Sequence, residues 1–127
     1  RLTEFTGTNV LATSTLGYAT GSGGSATAQS GNKSATITLD KINGKMTMHN
    51  ESMSANDIKT FQFTNSTIAA TDVVIVNIAS EGTPGNYLIG VSSVSSGNCE
   101  ITLKCIAGTN ITDALVLNFA VIKAVQS

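Results

Sequence analysis

The sequence has few charged residues and very few aromatic ones. Charged residues make up 12% of the 127 positions, aromatic residues make up 5%, and tryptophan is absent. Globular domains usually have about 25% charged residues. The 41% of hydrophobic residues must therefore come mainly from Val, Ile, Leu and Ala, and β-branched residues favour strands. This composition is typical of an extracellular or particle-bound β domain that Thr, Ser, Asn and Gly keep in solution.

Positive charge and long apolar runs are also scarce. Seven Lys and Arg residues are scattered along a chain whose formal net charge is -1. A nucleic-acid surface needs several cations on one face, because it gains affinity by releasing phosphate counterions. A membrane-spanning helix needs about 18 or more consecutive apolar residues, and the sequence has no such run. We therefore expect no nucleic-acid partner and no membrane span.

The groups that catalysis requires do not occur together. The single histidine, His49, has only Glu51 as a carboxylate close to it in sequence. Nucleophilic catalysis needs a base beside the nucleophile, and no nucleophile accompanies this pair. The acidic residues occur one at a time, without the spacing of a metal site. We expect a protein that is not an enzyme, with no catalytic residues, no metal and no cofactor.

The first 34 residues are rich in Gly, Ser and Thr. Residues 31–34, Gly-Asn-Lys-Ser, have one residue too many between Gly and Lys for a phosphate-binding loop. Residues 21–26 have the wrong spacing for a dinucleotide-binding fingerprint. We therefore interpret residues 1–34 as a flexible N-terminal segment or linker with room for one edge strand, and residues 35–127 as a β-sandwich domain.

Cysteine is rare, and its spacing argues against a local disulfide. Cys99 and Cys105 are six residues apart, which is roughly 20 Å along a straight strand. A disulfide needs Cα atoms within about 7 Å. Buried free thiols are the expectation, while a bridge between chains and a metal site remain alternatives.

The middle of the chain carries the clearest strand patterns. Phe61 and Phe63 alternate with polar residues, as on a half-buried strand. Residues 73–76, Val-Val-Ile-Val, form a continuous β-branched run that predicts a strand covered on both faces. On this interpretation Ile75 lies in the core, and Ile75→Asn is expected to unfold the domain.

Turn signals separate the other candidate strands. Asn43-Gly44 is the strongest of them and predicts a hairpin from Ala35 to Asn50. Together the patterns predict an all-β fold of about seven or eight strands, an antiparallel β-sandwich of jelly-roll-like type. The apolar residues expected in the core or at a subunit interface are Phe61, Phe63, Val74, Val76, Leu117 and Phe119. Two tyrosines in or beside loops are candidates for contact with a glycan or another surface, namely Tyr18 and Tyr87.

Four stretches resemble a family of small β modules found in the structural proteins of tailed-bacteriophage and prophage virions. They cover residues 16–24, 38–48, 63–77 and 118–124, keep their order, and include most of the chain from Leu16 onward. The resemblance implies a virion protein in an extracellular particle, without catalytic residues. It also implies a homo-oligomer, with a trimer favoured, that contacts other virion proteins and host-surface polysaccharide.

Three functions are therefore open at this point. The first is a terminal module of a tail fibre or tailspike, which trimerises the appendage or attaches it to the host surface. The second is a decoration protein on the capsid head. A hypothesis of another class is a carbohydrate-binding module, which predicts a tyrosine-lined groove and glycan binding by the monomer.

Overall fold

A computed structural model describes residue 7 and residues 11–26 and 28–124. This part of the chain contains eight β-strands and no helix. It accordingly has no helix long and apolar enough to cross a membrane. The strands are β1 (Gly23–Ala26), β2 (Ile37–Thr38), β3 (Asn43–Thr47), β4 (Ile58–Thr64), β5 (Val73–Ser80), β6 (Tyr87–Ser95), β7 (Asn98–Cys105) and β8 (Val116–Ile122).

The strands form two four-stranded sheets that pack face to face. The first sheet has the order β1-β3-β8-β5, and the second has the order β2-β4-β7-β6. The all-β sandwich predicted from the sequence is confirmed. The sheets are mixed, however, because β1 pairs with β3 and β2 pairs with β4 in parallel. Up to β6 the chain changes sheet after every strand, so only β6 and β7 form a hairpin of consecutive strands.

The predicted hairpin around Asn43-Gly44 is wrong. The two residues begin β3, and the strand before them, β2, belongs to the other sheet. Gly44 lies opposite Gly24 of β1, and a Cβ atom on Gly44 would be 2.2 Å from the Gly24 carbonyl oxygen. The Asn43 amide donates a 2.9 Å hydrogen bond to the Ser22 hydroxyl. The dipeptide therefore permits close approach of two strands instead of a turn.

The inner faces of the two sheets form one hydrophobic core. Phe63 of the second sheet and Phe119 of the first meet edge to face, with ring centroids 4.8 Å apart. Such aromatic pairs add stability beyond the burial of their area. All six apolar residues singled out from the sequence lie in this core, each with at most 7% of its surface exposed: Phe61, Phe63, Val74, Val76, Leu117 and Phe119.

Strand β5 is not covered on both faces, and this corrects the sequence-based expectation. Val74 and Val76 point into the core, whereas Val73 and Ile75 are 50% and 43% exposed. A β-branched side chain suits a strand whichever face it occupies, so the apolar run specified the strand and not its burial. Ile75 is consequently a surface residue of the single chain.

The N-terminal segment contributes to the sandwich. Its residues 23–26 form β1 at an edge of the first sheet, and Gln29 and Lys33 are buried. Residues 11–20 are exposed and irregular. The expectations for residues 1–6 and 8–10 lie outside the described part of the chain.

Candidate functional site

Four apolar side chains lie together on the outer face of the first sheet. Val73 of β5 is opposite Ile122 of β8, and Ile75 is opposite Ala120. Val73, Ile75 and Ile122 are each 43–50% exposed, and Ala120 is partly exposed. We call these four residues the apolar strip.

The alternation of β5 and β8 explains how the strip forms. In both strands every second residue anchors the strand in the core, which turns the residues between them outward. Next to the strip, Asn77 lies opposite Asn118, and a shallow cavity of about 160 Å³ lies between these amides and the apolar side chains. The small side chain of Ala120 leaves this space. The strip is therefore an apolar surface with a polar end.

An ion pair lies at one end of the strip, and the exposed Lys45 of β3 lies opposite Asn118 at the other end. The Lys123 ammonium group donates to the Asp72 carboxylate, which also accepts a 2.8 Å hydrogen bond from the Ala69 amide in the turn before β5. The hydrogen bond from Lys123, together with that from Ala69, holds the pKa of Asp72 below its ordinary value. Strand β5 itself contains no charged residue. The strip itself is therefore uncharged, with Lys45 as the nearby unpaired charge among the described residues of this face.

The outer face of the second sheet is polar. Thr60, Thr102 and Gly90 lie side by side on β4, β7 and β6, and the two threonine hydroxyls are 2.9 Å apart. One row further along, the Ser93 hydroxyl donates to Glu100 at 3.1 Å. Exposed apolar residues occur only at one end of the sheet, where Ile58 and Leu88 flank Lys104. We call the surface of Thr60, Thr102, Ser93 and Glu100 the polar face.

A buried lysine fastens the N-terminal segment to the sandwich. The Lys33 ammonium group is fully buried and donates to the carbonyl oxygens of His49 and Asp113, the latter at 2.6 Å. The Lys33 amide donates a 2.8 Å hydrogen bond to the carboxylate of Glu51. Burial lowers the pKa of Lys33, and the nearby carboxylates of Glu51 and Asp113 oppose this effect.

Gln29 and Lys59 complete the network around this lysine. The Gln29 amide nitrogen donates to the carbonyl oxygens of Lys33 and Ala35 at 2.9 and 2.8 Å, and its oxygen accepts from the His49 amide at 3.0 Å. Lys59 forms a 3.1 Å ion pair with Glu51. The hydrogen bond from the Lys33 amide, followed by the one from Lys59, lowers the pKa of Glu51. We call Gln29, Lys33 and Glu51 the lysine clamp.

The lysine clamp has the chemistry of a structural element. Both acceptors of the Lys33 ammonium group are main-chain carbonyls, those of His49 and Asp113. Such hydrogen bonds hold the backbone segments in place. The Nδ1 atom of His49 is buried and has no hydrogen-bond partner among the described residues. Sequence reasoning missed Lys33 because a lysine in a Gly-rich stretch carries no signal of burial.

The two tyrosines proposed for glycan contact occupy different environments. Tyr87 is buried, and its hydroxyl donates a 2.6 Å hydrogen bond to the Asp113 carboxylate. Burial, and then this hydrogen bond, raises the pKa of Tyr87. Tyr18 is 45% exposed, and its hydroxyl donates to the Val121 carbonyl oxygen. Tyr18 is thus the one of the two with an accessible ring.

The cysteines are buried free thiols, as the sequence predicted. Cys99 and Cys105 both point into the core from β7. Burial raises the pKa of Cys99 to about 11. A buried thiol with a raised pKa is a poor nucleophile, so Cys99 is a core residue.

A cavity lies beside the loop between β5 and β6. It has a volume of about 320 Å³ and is lined by Ile78, Pro84 and Tyr87, by the hydroxyl-bearing Ser80 and Thr83, and by small residues. Of these side chains only the Tyr87 phenol is titratable. Across the described ranges, no group of three His, Cys, Asp or Glu residues could hold a metal ion.

Comparison of the chain with protein-family models, with curated proteins and with solved structures finds no match. The functional assignment therefore depends on the surfaces described above. Among them, the apolar strip exposes hydrophobic area that the fold of one chain leaves in contact with water.

Proposed function

We propose that the protein is a structural module of a bacteriophage virion that works by assembling with copies of itself through the apolar strip. The observation that carries this proposal is the pair of exposed apolar contacts, Val73 with Ile122 and Ile75 with Ala120, on the outside of the first sheet. Burial of apolar surface contributes about 25 cal/mol per Å². Contact between two or more strips would therefore stabilise an oligomer.

The sequence supports the virion setting in two ways. The low content of charge suits a particle-bound protein, and the four resembling stretches point to phage and prophage structural proteins. Our first assignment is a terminal module of a tail fibre or tailspike, for trimerisation or host-surface attachment, and the resemblance favours three copies. Our second assignment is a capsid decoration protein.

Light scattering tests the assembly. At micromolar concentration we expect a mass that is a multiple of the 13.0 kDa chain. Ile122→Asn should lower this mass, because it places an amide in the apolar contact. The matched control is Ile58→Asn, which changes an exposed isoleucine on the second sheet and should leave the mass unchanged. A strictly monomeric protein would contradict the proposal.

Mass spectrometry of purified particles tests the virion assignment. Particles from the phage or prophage that encodes the chain should contain the protein, and separated heads and tails should show which structure carries it. Recovery with the tail favours the fibre assignment, and recovery with the head favours decoration. Absence from the particles, together with glycan binding by an isolated monomer, would support the carbohydrate-binding alternative instead.

A further inference from the structure

The four edge strands of the two sheets differ in how they discourage pairing with another chain. At one side of the sandwich, β1 has four residues and β2 has two. At the other side, β6 has a break in register between Val91 and Ser93, near its middle. Short strands and bulges are common devices that prevent edge-to-edge association. Three of the four edges are therefore protected.

Strand β5 lacks these devices over most of its length. It has eight residues with neither charge nor proline, and its pairing with β8 is regular from Val73 to Ile78. Its only break in register lies at the end, between Ile78 and Ser80. Within the described residues, its backbone hydrogen-bonds to β8 and to no strand on the other side. Strand β6 of the other sheet approaches β5 but makes no backbone hydrogen bond with it. This edge is thus long and apolar, and its outward backbone groups have no strand partner.

We propose that β5 strands of two copies pair antiparallel across a twofold axis at Ile75, which joins the two first sheets into one continuous sheet. This inference rests on the homo-oligomeric assembly proposed above and identifies its contact. It predicts that copies associate two at a time, in contrast to the trimer that the resemblance implies.

A second copy fits this edge because the strand complements itself. The absence of charge from Val73 to Ser80 means that the two paired strands bring no like charges together. Antiparallel pairing lets each strand satisfy the open backbone groups of the other. A twofold axis also makes the two contacts identical, so the interface closes after two chains and does not extend into a fibre.

The positions of the side chains select the register. Residues on the same face must lie opposite each other, because a shift by one residue would turn one face of the strand over. With Ile75 opposite the second copy's Ile75, Val74 lies opposite Val76 and Val73 lies opposite Asn77. All five residues precede the irregularity at Ile78. This register extends the core on the inner face and joins the apolar strips on the outer face.

Cysteine cross-linking tests the register directly. Facing residues of antiparallel strands have Cα atoms about 4.5–5.5 Å apart, a distance that a disulfide spans. Ile75→Cys should therefore form a covalent dimer under mild oxidation, seen on a non-reducing gel. The native thiols of Cys99 and Cys105 are buried and should not contribute.

Val73→Cys is the matched control, because Val73 is on the same strand and face and is similarly exposed. In this register the two copies of residue 73 are four residues apart along the strands, or about 13 Å, and should not cross-link. Adding Asn77→Cys to Val73→Cys should restore the covalent dimer. Circular dichroism should show that each variant keeps the β fold.

Each result distinguishes the pairing from the broader proposal. The twofold contact is supported if Ile75→Cys forms a covalent dimer and Val73→Cys does not. The native protein should then have a mass of two chains or a multiple of two. A native mass of three chains, or cross-linking of Val73→Cys without Ile75→Cys, overturns the pairing and leaves assembly intact. A monomer in which none of the variants cross-links overturns both.

Discussion

The two outer faces of the sandwich are built on the same alternating strands and differ in the residues that they present to water. On the first sheet two neighbouring exposed pairs are apolar, with Val73 opposite Ile122 and Ile75 opposite Ala120. On the second sheet Thr60 and Thr102 form a hydroxyl pair in the middle of the face. Both sheets share one core, so the fold does not require this difference.

The contrast teaches that exposure has to be judged for each face. Isolated apolar residues on a surface are normal, but contiguous ones with polar surroundings mark interaction sites. The apolar strip is contiguous across two strands, whereas Ile58 and Leu88 on the second sheet are separated by Lys104. This contrast is the reason to propose association through the first sheet and not through the second.

The largest expected effect concerns the core, where the two sheets should behave alike. Phe63→Ala and Phe119→Ala each remove half of the edge-to-face contact between the sheets and leave a cavity. Each should lower the free energy of unfolding by about 3–5 kcal/mol. Urea unfolding of both variants measures this loss in the free energy of unfolding. A much smaller loss for one variant would show that the two sheets do not contribute equally to the core.

Substitutions in the lysine clamp should have the next largest effect on the free energy of unfolding. Lys33 lies in the segment of chain that connects β1 of the first sheet to β2 of the second. Lys33→Met keeps most of the apolar stem but leaves the carbonyls of His49 and Asp113 without this donor. We expect a loss of about 1–3 kcal/mol. Lys33→Ala should cost more, because it adds a cavity.

Urea unfolding of the two variants provides the measurement, with Lys104→Met on the outer face of the second sheet as a control for the loss of a lysine charge. Equal stability of Lys33→Met and the wild-type protein would mean that the buried ammonium group does not hold the segment in place.

The third prediction concerns acid stability at the start of β5. The pKa of Asp72 is lowered from 3.8 in the folded state, so the unfolded chain binds a proton first as the pH falls. The contribution of Asp72 is complete above pH 3.8 and is lost as the pH falls through the lower folded-state pKa. In Asp72→Asn the free energy of unfolding should therefore fall less steeply as the pH is lowered. Urea unfolding between pH 5 and pH 2 measures this dependence.

Lys123→Met should reduce the same pH dependence of the free energy of unfolding in part, since Lys123 is the main cause of the lowered pKa of Asp72. If the free energy of unfolding depends on pH in both variants as in the wild-type protein, the ion pair of Lys123 and Asp72 does not form in solution.

The smallest effect on monomer stability is expected on the outer faces. Ile75→Thr makes the first sheet resemble the second and should change the free energy of unfolding of the monomer by about 0.5 kcal/mol or less. It should nevertheless weaken self-association, which sedimentation velocity measures. If the Ile75→Thr variant unfolds, the exposed position of Ile75 is contradicted and Ile75 belongs to the core.

The reverse exchange sharpens the comparison. Thr60→Ile with Thr102→Val places an apolar pair on the second sheet at positions that face each other. The new pair lies on inner strands, so it should increase association less than the open edge of β5 does. Equal association through either face would show that apolar area alone, without a free edge, is sufficient.

Much of the fold could be predicted from the sequence because alternation reports directly on strand faces. Phe61 and Phe63 were recognised as inward-facing from their period of two, and both are buried. Cys99 and Cys105 were expected to be buried free thiols, and both are. The order of the strands was not predictable, since it depends on contacts between residues far apart in the chain.

The candidate site was predictable only in part. The run from Val73 to Val76 marked an apolar strand, but local pattern does not reveal whether a sheet has another layer above it. Lys33 gave no signal, because its partners His49 and Asp113 are 16 and 80 residues away along the chain.

The sequence by itself determined that the protein is a β domain whose alternating apolar residues form the core, since β-branched residues and alternation act through local geometry. Only the tertiary structure decided that Asn43-Gly44 serves close strand approach and that Lys33 is buried. It also decided that Ile75 faces outward on an open edge. These three properties depend on which distant strand or loop lies next to each residue, and that is set by the packing of the whole chain.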